Sequence, residues 1–130
     1  MNLVIDTSIV IAVVTNERDK QRIIDITRGF SLVAPLSLYP EVINAFSAMF
    51  RRGRISLDDA RSCYIAAKRI SMRMHTPDLE KSLVIAHDLG IYAYDAYFLE
   101  CARAHSSPLL TLDTGLVYAA KRYGIETYEV

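Results

Sequence analysis

The sequence contains no long apolar run, no block of like charge and no low-complexity tract, and each absence removes a class of protein. No stretch approaches the length needed to span a membrane. Without biased segments or a large net charge, the chain is not of the disordered kind. Cysteine is scarce. Cys63 and Cys101 stand apart, with no second thiol or histidine at zinc-finger spacing, and His75, His87 and His105 form no paired motif. The two thiols read as core residues of a protein in a reducing cytoplasm. The first fifteen residues are apolar enough to raise the question of a secretion signal. Asp6 interrupts them, and neither a basic leading region nor a small-residue cleavage site accompanies them.

What is present is an ordinary globular composition, 52% hydrophobic and 23% charged. A chain of 130 residues fits one domain, 1–130, which at that size buries roughly two-thirds of the surface its unfolded form exposes. Residues 2–5 read as a buried strand and 7–15 as a short helix. A second helix is expected over 19–28, closed by Gly29, and a strand over 30–34, ended by Pro35. Ser37 is placed to cap a helix running to Arg52, with Pro40 harmless in its first turn. Ser56 and Asp59 have the spacing of a capping box. They open a helix whose apolar positions are Leu57, Ala60, Tyr64, Ala67 and Met74. Helices are predicted over 79–89 and 93–105, a strand over 109–112, a helix over 114–123 and an edge strand over 126–130. Alternating strands and helices predict a three-layer α/β/α fold around a central parallel sheet.

The acids are the anomaly in this pattern. Leu3, Val4 and Ile5 lead into Asp6, and a carboxylate ending a buried strand is costly unless something compensates its charge. Asp113 ends a second strand. Both therefore lie at the rim where open α/β sheets bind ligands. Glu41 falls in the first turn of the helix after the second strand, and Asp95 near the start of a later one. Taken singly, each acid fits a helix cap or a partner for the macrodipole. Asp95, however, shares a stripe with Phe98, Leu99 and Ala102, whereas Glu100 falls beside Arg103 and reads as the acid of a solvated face. Glu41 leads a narrow strip with Asn44 and Ala48, flanked by Val42, Ile43, Phe46 and Met49, and a polar pair on a core-facing helix needs a partner. Carboxylates that share a pocket repel one another until they take up protons or a divalent cation neutralises them. An all-oxygen donor set favours Mg²⁺ or Mn²⁺ over zinc.

The stretches IDTSIV, PEVINAF, YDAYFLECA and TLDTGLVYAAKRYGIE, in this order and across essentially the whole chain, resemble a PIN-domain nuclease. The likeness is to the small stand-alone kind that serves as the VapC-type toxin of VapBC toxin–antitoxin pairs. The resemblance implies a PIN-like α/β/α fold and places the acidic, metal-binding and catalytic cluster on Asp6, Glu41, Asp95 and Asp113. Thr7 or Ser8, Asn44 and Thr111 stand where such proteins keep hydroxyl or amide support. It implies hydrolysis of single-stranded RNA with Mg²⁺ or Mn²⁺, leaving 5′-phosphate and 3′-hydroxyl ends, as the toxin of a type II pair. A homodimer and a VapB-like antitoxin would be its partners. A PIN nuclease of RNA processing, a DNA-directed nuclease and a non-catalytic RNA-binding PIN fold share these residues and stay open. Two other strand-end-acid families fit less well. A haloacid-dehalogenase-like phosphatase needs an acid where Ser8 stands, and a phospho-receiver domain needs a lysine where Asp113 stands.

Fifteen Lys and Arg balance fifteen Asp and Glu, yet setting aside the four site acids leaves 11 acids against 15 bases. Arg51, Arg52 and Arg54 cluster at a helix end, and Lys68, Arg69 and Arg73 are expected along the next helix. Together they form a candidate RNA-facing patch; the alternative is that they complement a helix dipole. Leu38, Tyr39, Phe46, Met49, Phe50, Tyr64 and Met72 exceed what one core stripe needs, so part of this set is expected at a dimer or antitoxin interface; the alternative is that they pack against one another within the helical hairpin.

Overall fold

The computed structural model describes residues 1–130. Its elements run β1 (Asn2–Ile5), α1 (Thr7–Val14), α2 (Lys20–Thr27), β2 (Ser31–Pro35), α3 (Leu38–Arg51), α4 (Leu57–Lys68), β3 (Arg73–His75), α5 (Leu79–Leu89), α6 (Ala93–Ala104), β4 (Leu109–Leu110), α7 (Thr114–Tyr123) and β5 (Thr127–Tyr128). The five strands form one sheet in the order β3-β2-β1-β4-β5, and every neighbouring pair is parallel. Chain order moves outward from β1 through β2 to β3, then returns across the sheet to β4 and β5. Right-handed crossovers therefore put the helices of the two halves on opposite faces. α1 packs against α2, α3 and α4, while α5 packs along α6 and reaches α7. The result is the α/β/α sandwich that the alternating pattern predicts.

The apolar strands are buried because both faces of the sheet are covered. Leu3, Val4, Val33, Ala34, Leu109 and Leu110 are wholly inaccessible, and Phe98 and Leu99 of α6 press onto them. Local signals end several helices as the residue types dictate. Ser56 Oγ accepts the Asp59 N–H at 3.1 Å, as a capping box requires, and Gly90 and Gly124 close α5 and α7 in the left-handed conformation.

Three expectations need correction. Ser37 precedes α3 but makes no capping bond; its backbone is already helical and its Oγ is buried without a partner. The helix opened by Ser56 stops at Lys68, and Met74 belongs to β3, a three-residue edge strand absent from the predicted elements. Met74 continues the apolar spacing of the preceding helix, so periodicity alone cannot see that the backbone has changed conformation. Finally, the strands expected over 109–112 and 126–130 are shorter, Leu109–Leu110 and Thr127–Tyr128. Of the surplus apolar residues, Leu38 and Phe46 are core and Phe50 is exposed, as expected of part of that set.

Candidate active site

β1 and β4 lie side by side, with Ile5 opposite Leu110, and at this point the direction of chain winding reverses. Loops leave such a switch point in opposite directions and open a crevice at the carboxyl ends of the strands. Asp6 follows β1 and Asp113 follows β4 at that crevice. Each also caps the next helix: Asp6 Oδ1 accepts the Ile9 N–H, and Asp113 Oδ1 accepts those of Gly115 and Leu116.

Asp6 is the buried member, only 5% exposed. Ser8 Oγ donates to its Oδ1 at 2.6 Å and Thr111 Oγ1 to its Oδ2 at 2.5 Å. Thr111 Oγ1 also accepts the Asp113 N–H at 3.0 Å, and Ser8 Oγ accepts the Leu112 N–H at 3.0 Å. Two hydroxyls thus stitch the β1 and β4 loops together and fix the Asp6 carboxylate between them. Burial raises the Asp6 pKa, the bonds from Ser8, Thr111 and the Ile9 N–H oppose the rise, and the Asp113 charge adds to it.

Glu41 and Asp95 arrive on the first turns of α3 and α6. Burial pushes the Glu41 carboxyl up to about 7. The charges of Asp95 and Asp6 add to that, while the nearby Ser37 hydroxyl offsets part of it without a hydrogen bond of ordinary geometry. Burial also raises the Asp95 pKa, with Asp113 contributing. Asp6 feels Asp113, Asp95 feels Asp113, and Glu41 feels both Asp95 and Asp6. The four acids therefore share one field. Glu41 Oε2 is buried with no hydrogen-bond partner, as is Thr7 Oγ1. Thr7, Pro40, Glu41, Asn44, Ala45 and Tyr94 line a cleft of about 350 Å³ here.

A divalent cation fits this donor set. A buried Asp6 and half-buried Glu41 and Asp95, their pKa values raised by desolvation and by neighbouring charge, with one orphaned Glu41 oxygen, are what a hard ion relieves.

Among the expected supporting residues, Ser8 and Thr111 hold Asp6 directly, Thr7 and Asn44 line the cleft, and Asn44 is exposed. Tyr94 is the residue that sequence reasoning missed. It lines the cleft one position before Asp95, and it and Tyr92 are exposed tyrosines. The signal was present as the repeated tyrosines of IYAYDAY. The basic residues do not form one patch. Lys68 lies 4.5 Å over the Tyr39 ring, two residues from Glu41. Arg51 and Arg52 sit at the far end of α3, about 15 Å along its axis from Glu41. Arg73 is on β3, not on a helix, and donates to Asn2 Oδ1.

Glu100 requires a correction of a different kind. It is not a solvated acid but a buried one, 5% exposed. α6 is covered by the sheet on one side and by α5 on the other, so a residue turned away from the sheet is still enclosed. Its Oε1 accepts the Asp78 N–H at 3.0 Å and pairs with His75 Nε2 at 2.7 Å.

The family model of the PIN domain matches residues 3–122. The chain belongs to the PIN-domain family. PIN domains are generally nucleases that use divalent metals, in keeping with the acids at this switch point. No curated protein matches the chain. Among solved structures, this PIN domain is similar to PAE2754 from Pyrobaculum aerophilum, with 23% identity, 98% of this chain and 83% of that chain covered, and a TM-score of 0.76. It is also similar to a toxin-antitoxin complex from Klebsiella pneumoniae, at 17% identity, 98% and 99% coverage and a TM-score of 0.67. FitAcB from Neisseria gonorrhoeae matches at 16% identity, 98% and 96% coverage and a TM-score of 0.66. At these identities the likeness is one of fold.

Proposed function

We propose that this PIN domain is an endoribonuclease that hydrolyses single-stranded RNA with Mg²⁺ or Mn²⁺, and that it is the toxin of a VapBC-type toxin–antitoxin pair. What carries the reading is Asp6 and Asp113 at the ends of the neighbouring strands β1 and β4, with Glu41 and Asp95 on the first turns of α3 and α6 and a partnerless Glu41 oxygen beside the cleft. These four residues would hold the metal. When bound, the ion supplies an activated water and stabilises charge on a phosphoryl oxygen.

The chain's own groups do the rest. Ser8 and Thr111 keep the Asp6 carboxylate in one orientation, so the site is ordered before substrate arrives. The N-termini of α1 and α7 turn their positive ends toward the crevice, which helps hold the acids ionised and favours a phosphate. Tyr94 and Tyr92 offer faces on which unpaired bases stack, which supports a single-stranded substrate. Lys68 and Arg69, at the end of α4 nearest Glu41, neutralise phosphates close to the cut, and Arg51, Arg52, Arg54 and Arg73 contact more distant ones.

Two apolar surfaces support the partners. Ile43, Phe50, Leu57 and Ile65 are exposed along a groove of about 440 Å³ between α3 and α4, suited to an apolar antitoxin segment. Leu79, Leu83 and Val84 are exposed on α5 and suit a homodimer. Two of the similar structures are, by their descriptions, the Klebsiella toxin-antitoxin complex and FitAB bound to a DNA fragment. No helix is long and apolar enough to cross a membrane. The proposed unit is a single domain, 1–130, acting in the cytoplasm.

The deciding experiment incubates purified protein with end-labelled single-stranded RNA. Cleavage to 5′-phosphate and 3′-hydroxyl products is expected with Mg²⁺ or Mn²⁺ and stops in EDTA. Full activity in chelator, or cleavage of DNA but not RNA, overturns the reading.

A further inference from the structure

At the outer edge of the sheet, about 10 Å across β2 from the end of β1, the fold brings together three residues that are distant in sequence. His75 ends β3, Cys101 lies in α6, and His105 follows the end of that helix. One donor atom from each lies within 4.8 Å of the others. The imidazoles meet edge to face with ring centres 4.9 Å apart, and His105 Nε2 stands 3.1 Å from His75 Nδ1. We propose that His75 Nδ1, His105 Nε2 and Cys101 Sγ form a binding site for Zn²⁺, separate from the acidic cluster.

The donor chemistry selects the ion. Two imidazoles and a thiolate suit zinc, whereas the acids suit a harder cation. Zinc bonds of about 2.0–2.1 Å to nitrogen and 2.3 Å to sulfur place tetrahedral donor atoms roughly 3.3–3.7 Å apart. The two nitrogens are already near that separation at 3.1 Å, and the sulfur lies within 4.8 Å of both. Glu100 supplies the outer support. It accepts from His75 Nε2–H at 2.7 Å, which fixes the tautomer whose Nδ1 lone pair faces His105, and the Asp78 N–H holds Glu100 in turn. His105 Nε2, which donates to that lone pair, adopts the other tautomer, with its proton on Nδ1, when the ion replaces the hydrogen bond. The charges also balance. A dication, the Cys101 thiolate and the Glu100 carboxylate sum to zero, leaving exposed Arg73 as the opposing cation, and Arg73 is tied to Asn2. The Cys101 thiol loses its proton to the medium when the metal–sulfur bond forms.

Asp95 and His105 lie at opposite ends of α6, about 15 Å apart along its axis, so an ion at one place is not shared with the other. The role that follows is structural. The ion would pin the short edge strand β3 to the end of α6, with a fourth position open to water beside the half-buried imidazoles.

Chelator-treated protein carrying Asp95→Asn is titrated with Co²⁺ and, separately, Zn²⁺. Co²⁺ is expected to give a near-ultraviolet thiolate-to-cobalt charge-transfer band, and Zn²⁺ to bind at one equivalent and raise the melting temperature. Cys101→Ser abolishes the band. His105→Gln, at a half-buried position that tolerates the change, weakens Zn²⁺ binding at least 100-fold, and Glu100→Gln weakens it 10–100-fold. Circular dichroism checks that each variant is folded. Absence of the band, or Zn²⁺ affinity unchanged in His105→Gln, shows a hydrogen-bonded histidine pair only and overturns the proposal.

Discussion

Glu41→Gln isolates the electrostatic cost built into the acidic cluster. In the folded protein the Glu41 carboxyl titrates at about 7, against an ordinary value of 4.5. A carboxyl raised in this way is protonated more readily in the native state than in the unfolded chain, so stability falls as pH rises between those two values. The loss begins near pH 4.5 and is complete above about 7. At about 1.4 kcal/mol per pH unit the shift corresponds to roughly 3 kcal/mol, and screening of this half-accessible carboxyl by solvent reduces that to about 1.5 kcal/mol. In EDTA at pH 8, Glu41→Gln is therefore expected to gain about 1.5 kcal/mol over wild type relative to the difference at pH 5. That gain is about 5 °C in melting temperature for a domain of this size. Mg²⁺ added at pH 8 should raise the melting temperature of wild type more than that of the variant. Thermal unfolding with and without chelator at both pH values measures each quantity. A difference between variant and wild type that does not change with pH refutes the argument.

The remaining predictions use other members of the network. Asp95→Asn should abolish RNA cleavage while leaving circular dichroism and melting temperature close to wild type; retained cleavage would remove Asp95 from the metal set. Thr111→Val deletes the donor to Asp6 Oδ2 and the acceptor of the Asp113 N–H, and should cost about 1.5–3 kcal/mol of stability while shifting the acid limb of the pH–rate profile upward. Glu100→Ala strands the His75 ring nitrogen and the Asp78 N–H and should lower stability by about 2 kcal/mol or more in denaturant titrations, where an exposed acid would cost almost nothing. Light scattering should show a dimer that Leu83→Asp converts to monomer, and expression without an antitoxin should arrest growth.

The acids at strand ends were legible because the grammar of an α/β chain is local. An apolar run that stops on Asp6 or Asp113 declares both a strand and the rim of the sheet, whereas the adjacency of β1 and β4, not consecutive along the chain, comes from the fold. Glu41 and Asp95 were legible by contrast, as polar residues on otherwise apolar helix stripes. The same contrast failed for Glu100. A helical wheel distinguishes one face from another, but it cannot tell that both faces of α6 are covered. β3 was invisible because three residues are too few for a period-two pattern to emerge from the helical spacing beside it. The grouping of His75 with Cys101 and His105 depends on that unseen strand. Their separations in sequence match no metal-binding spacing, and only the return of α6 past the sheet edge joins them.

The two hydroxyl stitches across the β1 and β4 loops join residues more than a hundred positions apart, Ser8 and Asp6 with Thr111. Synthesis proceeds from the amino end, and N-terminal structure forms first. Asp6, Ser8 and Ile9 are made almost at once, but Thr111, the donor to Asp6 Oδ2, and Asp113 come only when nearly all of the chain exists. A polypeptide cut short of β4 lacks Asp113 and leaves Asp6 held by Ser8 and the Ile9 N–H alone. Completion of the chain is thus itself the step that assembles the crevice.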